Sequence, residues 1–277
     1  MKIQHDVITS RSNSFVKWAA SLSEKKGRNQ AGAFIAEGVK LTIEALEAGL
    51  PVTHIIVNEE NEDNVFEHIR RFMNLPAFEK TELITVSYSV FEKISTEKAP
   101  QGVICVIKYL DFFHNIDIIN KEEFILGKNE RAIVLCSVRD PSNLGSVIRS
   151  AAAFGTEHVI LSDDCADVYN PKTVRGAMGS LFKIRLTRVK NLPSFISAAK
   201  SNGRRVFSAE LNENAVSLDS ETLLPTDLIL IGNEGHGVPF EISKHCTSGI
   251  YIPISKNTES LNASVAAAIF MWEQRKK

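Results

Sequence analysis

Leu228-Ile229-Leu230-Ile231-Gly232-Asn233-Glu234-Gly235-His236-Gly237-Val238 is an apolar strand that runs straight into three glycines. Such a junction implies a tight turn, or a backbone that a ligand approaches closely. The glycine spacing is GxxGxG. It is not the GxGxxG that presents a pyrophosphate to a helix N-terminus, and the loop lacks the lysine of a phosphate-binding P-loop. A nicotinamide dehydrogenase and a nucleotide hydrolase are therefore set aside. His236 is a candidate base, although a loop histidine is more often solvated.

Upstream, Ala132-Ile133-Val134-Leu135-Cys136 is a continuous apolar run typical of a buried parallel strand. A helix is expected from about Asn143 to Phe154, ended at Gly155 by a left-handed cap. His158–Leu161, Arg205–Ala209, Asp227–Ile231 and Gly249–Ile254 read as further strands, and a last helix runs from Ser260 to the end. The rhythm is that of a doubly wound α/β domain over residues 130–277. The first part of the chain alternates too. Strand patterns at 33–37, 52–57, 83–86 and 103–107 are separated by helical ones at 39–48, 65–72 and 90–94, giving a small α/β domain over residues 1–108. Residues 109–129 lose any period and read as a linker.

The informative residues sit just past strand ends, where open α/β sheets place their ligands. Besides the glycine turn there are two such junctions. In Arg139-Asp140-Pro141-Ser142-Asn143-Leu144-Gly145, Asn143 reads first as the cap of the following helix and second as a substrate contact. Arg149 follows on an otherwise apolar helix, where an arginine snorkels, pairs or points into a cleft. In the third junction, residues 252–266, hydroxyl and amide groups crowd the start of a helix whose body is small (Ala263, Ala266, Ala267, Ala268). Capping explains Ser260 alone, but not so many polar groups within nine positions.

Bulk properties narrow the class. With 44% hydrophobic and 23% charged residues the chain has ample material for a core. No apolar run approaches the roughly 20 residues needed to span a bilayer. The N-terminus lacks the layout of a secretory signal, so a cytoplasmic protein is expected. Four scattered cysteines, Cys105, Cys136, Cys165 and Cys246, form no CxxC pair and read as buried thiols rather than disulfides or a metal site. A net charge of −1 argues against a protein that simply coats nucleic acid. Residues 1–30, however, hold Lys2, Arg11, Lys17, Lys25, Lys26 and Arg28 against Asp6 and Glu24, a local excess of +4. That suits an enzyme that grips and then releases a polyanion, and equally a solvated basic helix.

In order and spacing, DPSNLGSVIRSAAAFG (140–155), LIGNEGHGV (230–238) and IPISKNTESLNASVAAAI (252–269) resemble the three motifs of the SpoU (TrmH-type) RNA 2′-O-methyltransferases of the SPOUT superfamily. The first half, with ITSRSNSFVKWAASLSEKKGR (8–28) and FIAEGVKLTIEAL (34–46), resembles more loosely the substrate-binding domain often fused ahead of that catalytic domain. The resemblance implies an α/β fold with a deep trefoil knot at the C-terminus, a homodimer, and S-adenosylmethionine bound in the knot. By position, Gly232, Ile252 and Leu261 would contact the cofactor, and Asn143, Arg149, Glu234, Ser260 and Asn262 would form the catalytic set. RNA capture is assigned to Arg11, Asn13, Lys17 and Arg28 of the first domain. The implied substrate is RNA, ribosomal rather than transfer RNA, and no metal or membrane partner is expected. The rivals are a tRNA 2′-O-methyltransferase, a base-nitrogen methyltransferase, and a non-catalytic RNA-binding protein that keeps the knot.

Overall fold

The computed structural model describes residues 1–111, 113–116, 125–212, 214–233, 235–255 and 257–275, the side chain of His5 aside. It divides into two compact units, one of residues 1–110 with 167–182 and one of residues 111–166 with 183–277.

The first unit is built on a five-stranded sheet. Its strands are β1 (Lys2–Ile8), β2 (Ala33–Glu37), β3 (Val52–Asn58), β4 (Glu82–Val86) and β5 (Val103–Lys108), in the order β1-β4-β3-β5-β2. β1, β4 and β3 are parallel, while β5 runs antiparallel to β3 and β2. The helices α1 (Ser14–Ser21), α2 (Lys25–Ala31), α3 (Val39–Glu47), α4 (Glu62–Ile69) and α5 (Tyr88–Ile94) fall between the strands. Val16, Ala19 and Leu22 pack with Ile35, Ile56, Ile84, Val90 and Phe91 in one buried cluster.

Two sequence expectations are corrected in this unit. The domain boundary is not continuous, because Asp167–Phe182 belongs to this unit although it follows a strand of the other. The physical reason is aromatic and ionic. Tyr169 stacks on both Phe34 and Tyr109, with centroids 4.6 and 4.3 Å apart, and its hydroxyl accepts from the Leu110 amide. Asp167 accepts from Arg28 at 2.7 Å. Arg28, assigned above to RNA capture, is thus held inside the unit and not at its surface. It is 1% exposed, and its other hydrogen bonds go to the Leu22 and Ser23 carbonyls, so it closes the α1–α2 turn from within.

The second unit carries an eight-stranded sheet. Its members are β6 (Phe113–Ile116), β7 (Ala132–Leu135), β8 (His158–Ser162), β9 (Arg185–Val189), β10 (Val206–Ala209), β11 (Val216–Ser217), β12 (Leu228–Ile231) and β13 (Ser248–Tyr251). The order is β11-β13-β10-β12-β7-β8-β9-β6, with every pairing parallel. The expected linker thus contains an edge strand at 113–116, too short and polar to betray itself; residues 117–124 of it lie outside the described residues. α6 (Pro141–Phe154) follows β7, α8 (Leu192–Ser201) follows β9, α9 (Phe240–Ser243) follows β12, and α10 (Ala263–Arg275) ends the described chain. α7 (Pro171–Ala177) lies in the segment given to the first unit. α6 and α10 pack together, with Phe154 edge-on to Trp272.

His158, at the start of β8, is fully buried. Its neutral ring satisfies both neighbours when Nδ1–H donates to Glu130 (3.1 Å) and Nε2 accepts from Thr187 (2.8 Å). Burial, reinforced by the charge of Arg185, lowers its pKa to about 3. The unfolded chain returns it to about 6.5, so protons bind the unfolded state more tightly and stability is lost as pH falls below that value. Urea titrations at pH 7 and pH 5 are expected to differ by about 2 kcal/mol from this group, and His158→Gln should flatten the difference. An equal slope in that variant would assign the acid sensitivity elsewhere.

Candidate active site

Because all the strands of the second sheet are parallel, their carboxyl ends share one edge. Connections from β7 run to one side, to β8 and β9, while β12 and β10 lie on the other, so the β7/β12 boundary is a topological switch point. The loops past β10, β12 and β13, with the start of α10, enclose a cavity of about 560 Å³. That is within the roughly 300–1,000 Å³ of small-molecule sites. Ala209, Glu210 and Leu211 line it from β10, Ile231, Gly232, Asn233, Gly235 and Gly237 from β12, and Tyr251, Ile252 and Pro253 from β13. Glu259, Ser260, Leu261, Ala263 and Phe270 are also in the wall.

The glycine turn has a steric cause. Asn233 and Gly237 exchange two backbone hydrogen bonds, 3.1 and 2.8 Å, folding the loop back on itself. A Cβ on Gly232 would stand 2.1 Å from the Gly237 carbonyl carbon, and Gly237 has φ +62°. A side chain at Gly232 would have to move the turn, and one at Gly237 would meet no neighbour but would be held in a left-handed conformation that favours glycine. Glu234 lies outside the described residues. His236 is exposed.

The first junction differs from its reading in one respect. The cap of α6 is Asp140, whose carboxylate accepts from the Ser142 amide at 2.7 Å, with Pro141 in the first turn. Asn143 is thus inside the helix, and its Oδ1 accepts from Asn262 Nδ2 at 3.0 Å. Asn262 is the cap of α10, its Oδ1 accepting from the Ser264 amide and hydroxyl at 2.9 and 2.6 Å. The first and third junctions, 119 residues apart in sequence, therefore meet side chain to side chain beside the cavity wall formed by Ser260 and Leu261. Arg149 is exposed on α6 and makes no hydrogen bond or ion pair among the described residues. Such a guanidinium retains all its donors for an incoming oxyanion.

Of the expected residues, Gly232, Ile252, Leu261 and Ser260 line one cavity, and Asn143 and Asn262 are bonded to each other. The reading missed Ala209, Glu210 and Leu211 at the end of β10, although their place past a strand end was the available signal. In the first unit Arg11 and Lys17 are exposed, while Asn13 caps α1 through the Phe15 amide at 2.8 Å. Burial raises the thiols of Cys105 and Cys246 to about 12 and of Cys136 to about 11, which keeps them protonated and unreactive. No group of three or more metal-ligating side chains occurs among the described residues, and none of the described helices is long and apolar enough to cross a membrane.

Comparison with known proteins agrees with this geometry. Residues 130–272 match the SpoU rRNA Methylase family, and residues 13–105 match an MRM3-like substrate binding domain. The chain is 30% identical to the 23S rRNA (guanosine(2553)-2′-O)-methyltransferase RlmP of Bacillus subtilis, over 97% of this chain and 98% of that protein. It is also 30% identical to the 23S rRNA (uridine(2479)-2′-O)-methyltransferase of Streptomyces viridochromogenes, over 96% and 90%. The crystal structure of an AdoMet-bound rRNA methyltransferase from Sinorhizobium meliloti superposes with a TM-score of 0.79 at 27% identity, covering 99% of this chain and 98% of that one. With its three strand-end junctions gathered at one sheet edge, and a family match spanning more than half its length, the chain belongs to the SpoU rRNA methylase family.

Proposed function

We propose that this chain transfers a methyl group from S-adenosylmethionine to a ribose 2′-hydroxyl of RNA, in ribosomal RNA. The observation that carries the reading is the Asn262–Asn143 hydrogen bond, which draws two polar junctions together beside a cavity of cofactor size. The donor set fits the cofactor, since apolar Ile231, Ile252 and Leu261 alternate with loop backbone at strand ends. Gly232, Ile252 and Leu261 would hold it, with the backbone of Asn233, Gly235 and Gly237 fixing its orientation. When bound, the cofactor supplies a sulfonium-activated methyl group.

The protein's share is alignment and charge. Holding two reactants in place is worth on the order of 7–11 kcal/mol, against roughly 3–5 kcal/mol for a positioned base. Rigid loops therefore matter more here than any single proton acceptor. Arg149 is the oxyanion and phosphate clamp in this reading. A guanidinium keeps its proton in proteins, so it serves by bidentate hydrogen bonding rather than as the base. Asn143, Asn262 and Ser260 orient the ribose, and Glu234 completes the set by its place in the second motif.

The finer architecture is part of the same proposal. α10 packs against α6 and β12, beyond β10 from β13, and a deep trefoil knot at the C-terminus would account for that arrangement. α10 leaves Val265 and Trp272 more than 40% exposed, with half-buried Ala268 and Ile269 between them at helical spacing, although Trp272 also meets Phe154. Such a stripe suits a second copy of the chain, and hence a homodimer. The N-terminal unit serves as the RNA substrate-binding domain, with Arg11 and Lys17 as phosphate contacts and Asn13 holding α1 in place.

Incubating the protein with methyl-labelled S-adenosylmethionine and total RNA from a strain lacking the gene should place label in alkali-resistant dinucleotides of the ribosomal RNA. Label in a base, in transfer RNA alone, or in no RNA would overturn the reading. In the same assay Arg149→Lys is expected to slow single-turnover transfer by about a hundredfold or more, because lysine keeps the charge but not the fork. A near-normal rate would remove the clamp.

Asn262 separates capping from chemistry. Asn262→Ala should lower stability by about 1 kcal/mol through the lost cap. Asn262→Asp keeps the cap acceptor but not the donor to Asn143, so its melting temperature should hold while transfer falls. Full activity in the aspartate variant would show that the Asn143 contact is dispensable.

A further inference from the structure

The geometry points to Ser162 and Asp164 as positioning residues of the cofactor cavity, acting through a left-handed turn at Ser137. The inference rests on the reading of that cavity as the S-adenosylmethionine site. Neither residue lines the cavity.

Ser137 follows β7 and has φ +58°, one of two described residues other than glycine with positive φ. For a residue with a Cβ this conformation is strained, so it persists only where neighbours hold it. Two neighbours do. The Ser137 amide donates to Ser162 Oγ at 2.8 Å, and the Ser137 carbonyl accepts from Asn233 Nδ2 at 3.1 Å. Asn233 Oδ1 in turn accepts from the Gly235 amide at 2.9 Å. The turned residue thus grips the glycine loop that lines the cavity, across the β7/β12 boundary.

The other end of the chain of contacts is anchored just as firmly. Ser162 Oγ donates to Asp164 Oδ1 at 2.6 Å, and Arg139 donates to Asp164 Oδ2 at 2.7 Å. Partial burial pushes the Asp164 carboxyl up, but the hydrogen bonds from Ser162, Arg139 and Ser137 outweigh it and hold the group at about 2. It is an anion at every working pH. The loop that carries it is pinned by Arg188, whose guanidinium donates to the carbonyls of Ser162, Asp163, Cys165 and Ala166 at 2.7–3.2 Å. With Asp164 occupying the Ser162 proton, the hydroxyl oxygen is left facing the Ser137 amide as an acceptor. Removing it leaves that amide without its partner and frees the strained turn to relax. Asn233 would then lose its fixed carbonyl, and the glycine loop its register.

The test is calorimetric titration of S-adenosylhomocysteine into the full-length protein, well below the melting temperature of every variant. Ser162→Ala and Asp164→Ala are each expected to weaken binding by about tenfold, the equivalent of one net hydrogen bond. Ser162→Thr, which keeps the hydroxyl, should restore affinity to within about threefold of the natural chain. If Ser162→Ala does not fold, Asp164→Ala carries the test, because that side chain is 43% exposed and lies outside the core. Lowered melting temperatures with affinity unchanged would reduce both residues to structural roles and overturn the inference. Failure of the natural chain itself to bind would instead sink the cavity reading, and this inference with it.

Discussion

In a sheet whose strands all run the same way, every carboxyl end must lie along one edge, and the site of this protein depends on that constraint. Ser137, Asn143, Glu210, Gly232, Ile252 and Asn262 are scattered over half the sequence, yet each follows a strand of the same parallel sheet. Their loops are brought together before any side chain chooses a partner. β12 is inserted between β10 and β7, so the glycine turn lies beside the Ser137 turn, and the Asn233–Ser137 contact spans two neighbouring strands. The polar groups then refine what the sheet has already gathered. Asn262 is the clearest case, because one amide caps α10 with its oxygen and reaches Asn143 with its nitrogen.

How far the sequence foretold this follows from what each element buries. β7, β8 and β12 are covered on both faces, and their uninterrupted apolar runs stand out. β1 and β6 lie at sheet edges, and Lys2-Ile3-Gln4-His5-Asp6 or Phe113-His114-Asn115-Ile116 carries no such signal. β9 reads Arg185-Leu186-Thr187-Arg188-Val189, and its arginines hide it. They are there because Arg185 pairs with Glu130 and Arg188 binds four carbonyls of the loop after β8, neither of which is visible along the chain. Of the positions lining the cavity, Gly232, Ile252, Ser260 and Leu261 were legible because the family motifs carry them, while Ala209, Glu210 and Leu211 lie outside those motifs. Their reasons were not: the Gly232 contact with Gly237 is a distance between backbones.

Arg28 shows where composition misleads. A cluster of six basic residues near an N-terminus looks like a polyanion grip, and counting cannot tell a surface guanidinium from one that closes a turn from within. What distinguishes them is the partner. Arg28 finds Asp167, 139 positions away, and a buried charge is tolerable when it is paired; its two terminal nitrogens are used, while Nε is buried without a partner among the described residues. Arg11 and Lys17 remain at the surface, so the basic character of the segment survives with fewer residues than the count implied. Asn143 is the converse, a residue read first as a cap. Asp140 takes that role, and the amide is freed for a long-range bond.

The choice of serine at position 137 is itself informative. Glycine would adopt φ +58° at no steric cost, and it is the ordinary occupant of such a turn. A serine there accepts the strain and gains a side chain within reach of Asp164, whose carboxylate it helps to hold as an anion. It also narrows the unfolded ensemble relative to glycine, so less entropy is lost on folding. For a catalyst whose main contribution is alignment, a turn that is strained but held at both ends is better suited than a relaxed and mobile one. Small displacements of bound reactants are expensive, and a loop with one defined position removes that freedom before the reactants arrive. By that logic the stiffness of the glycine loop originates outside it, in the residues that fix Ser137.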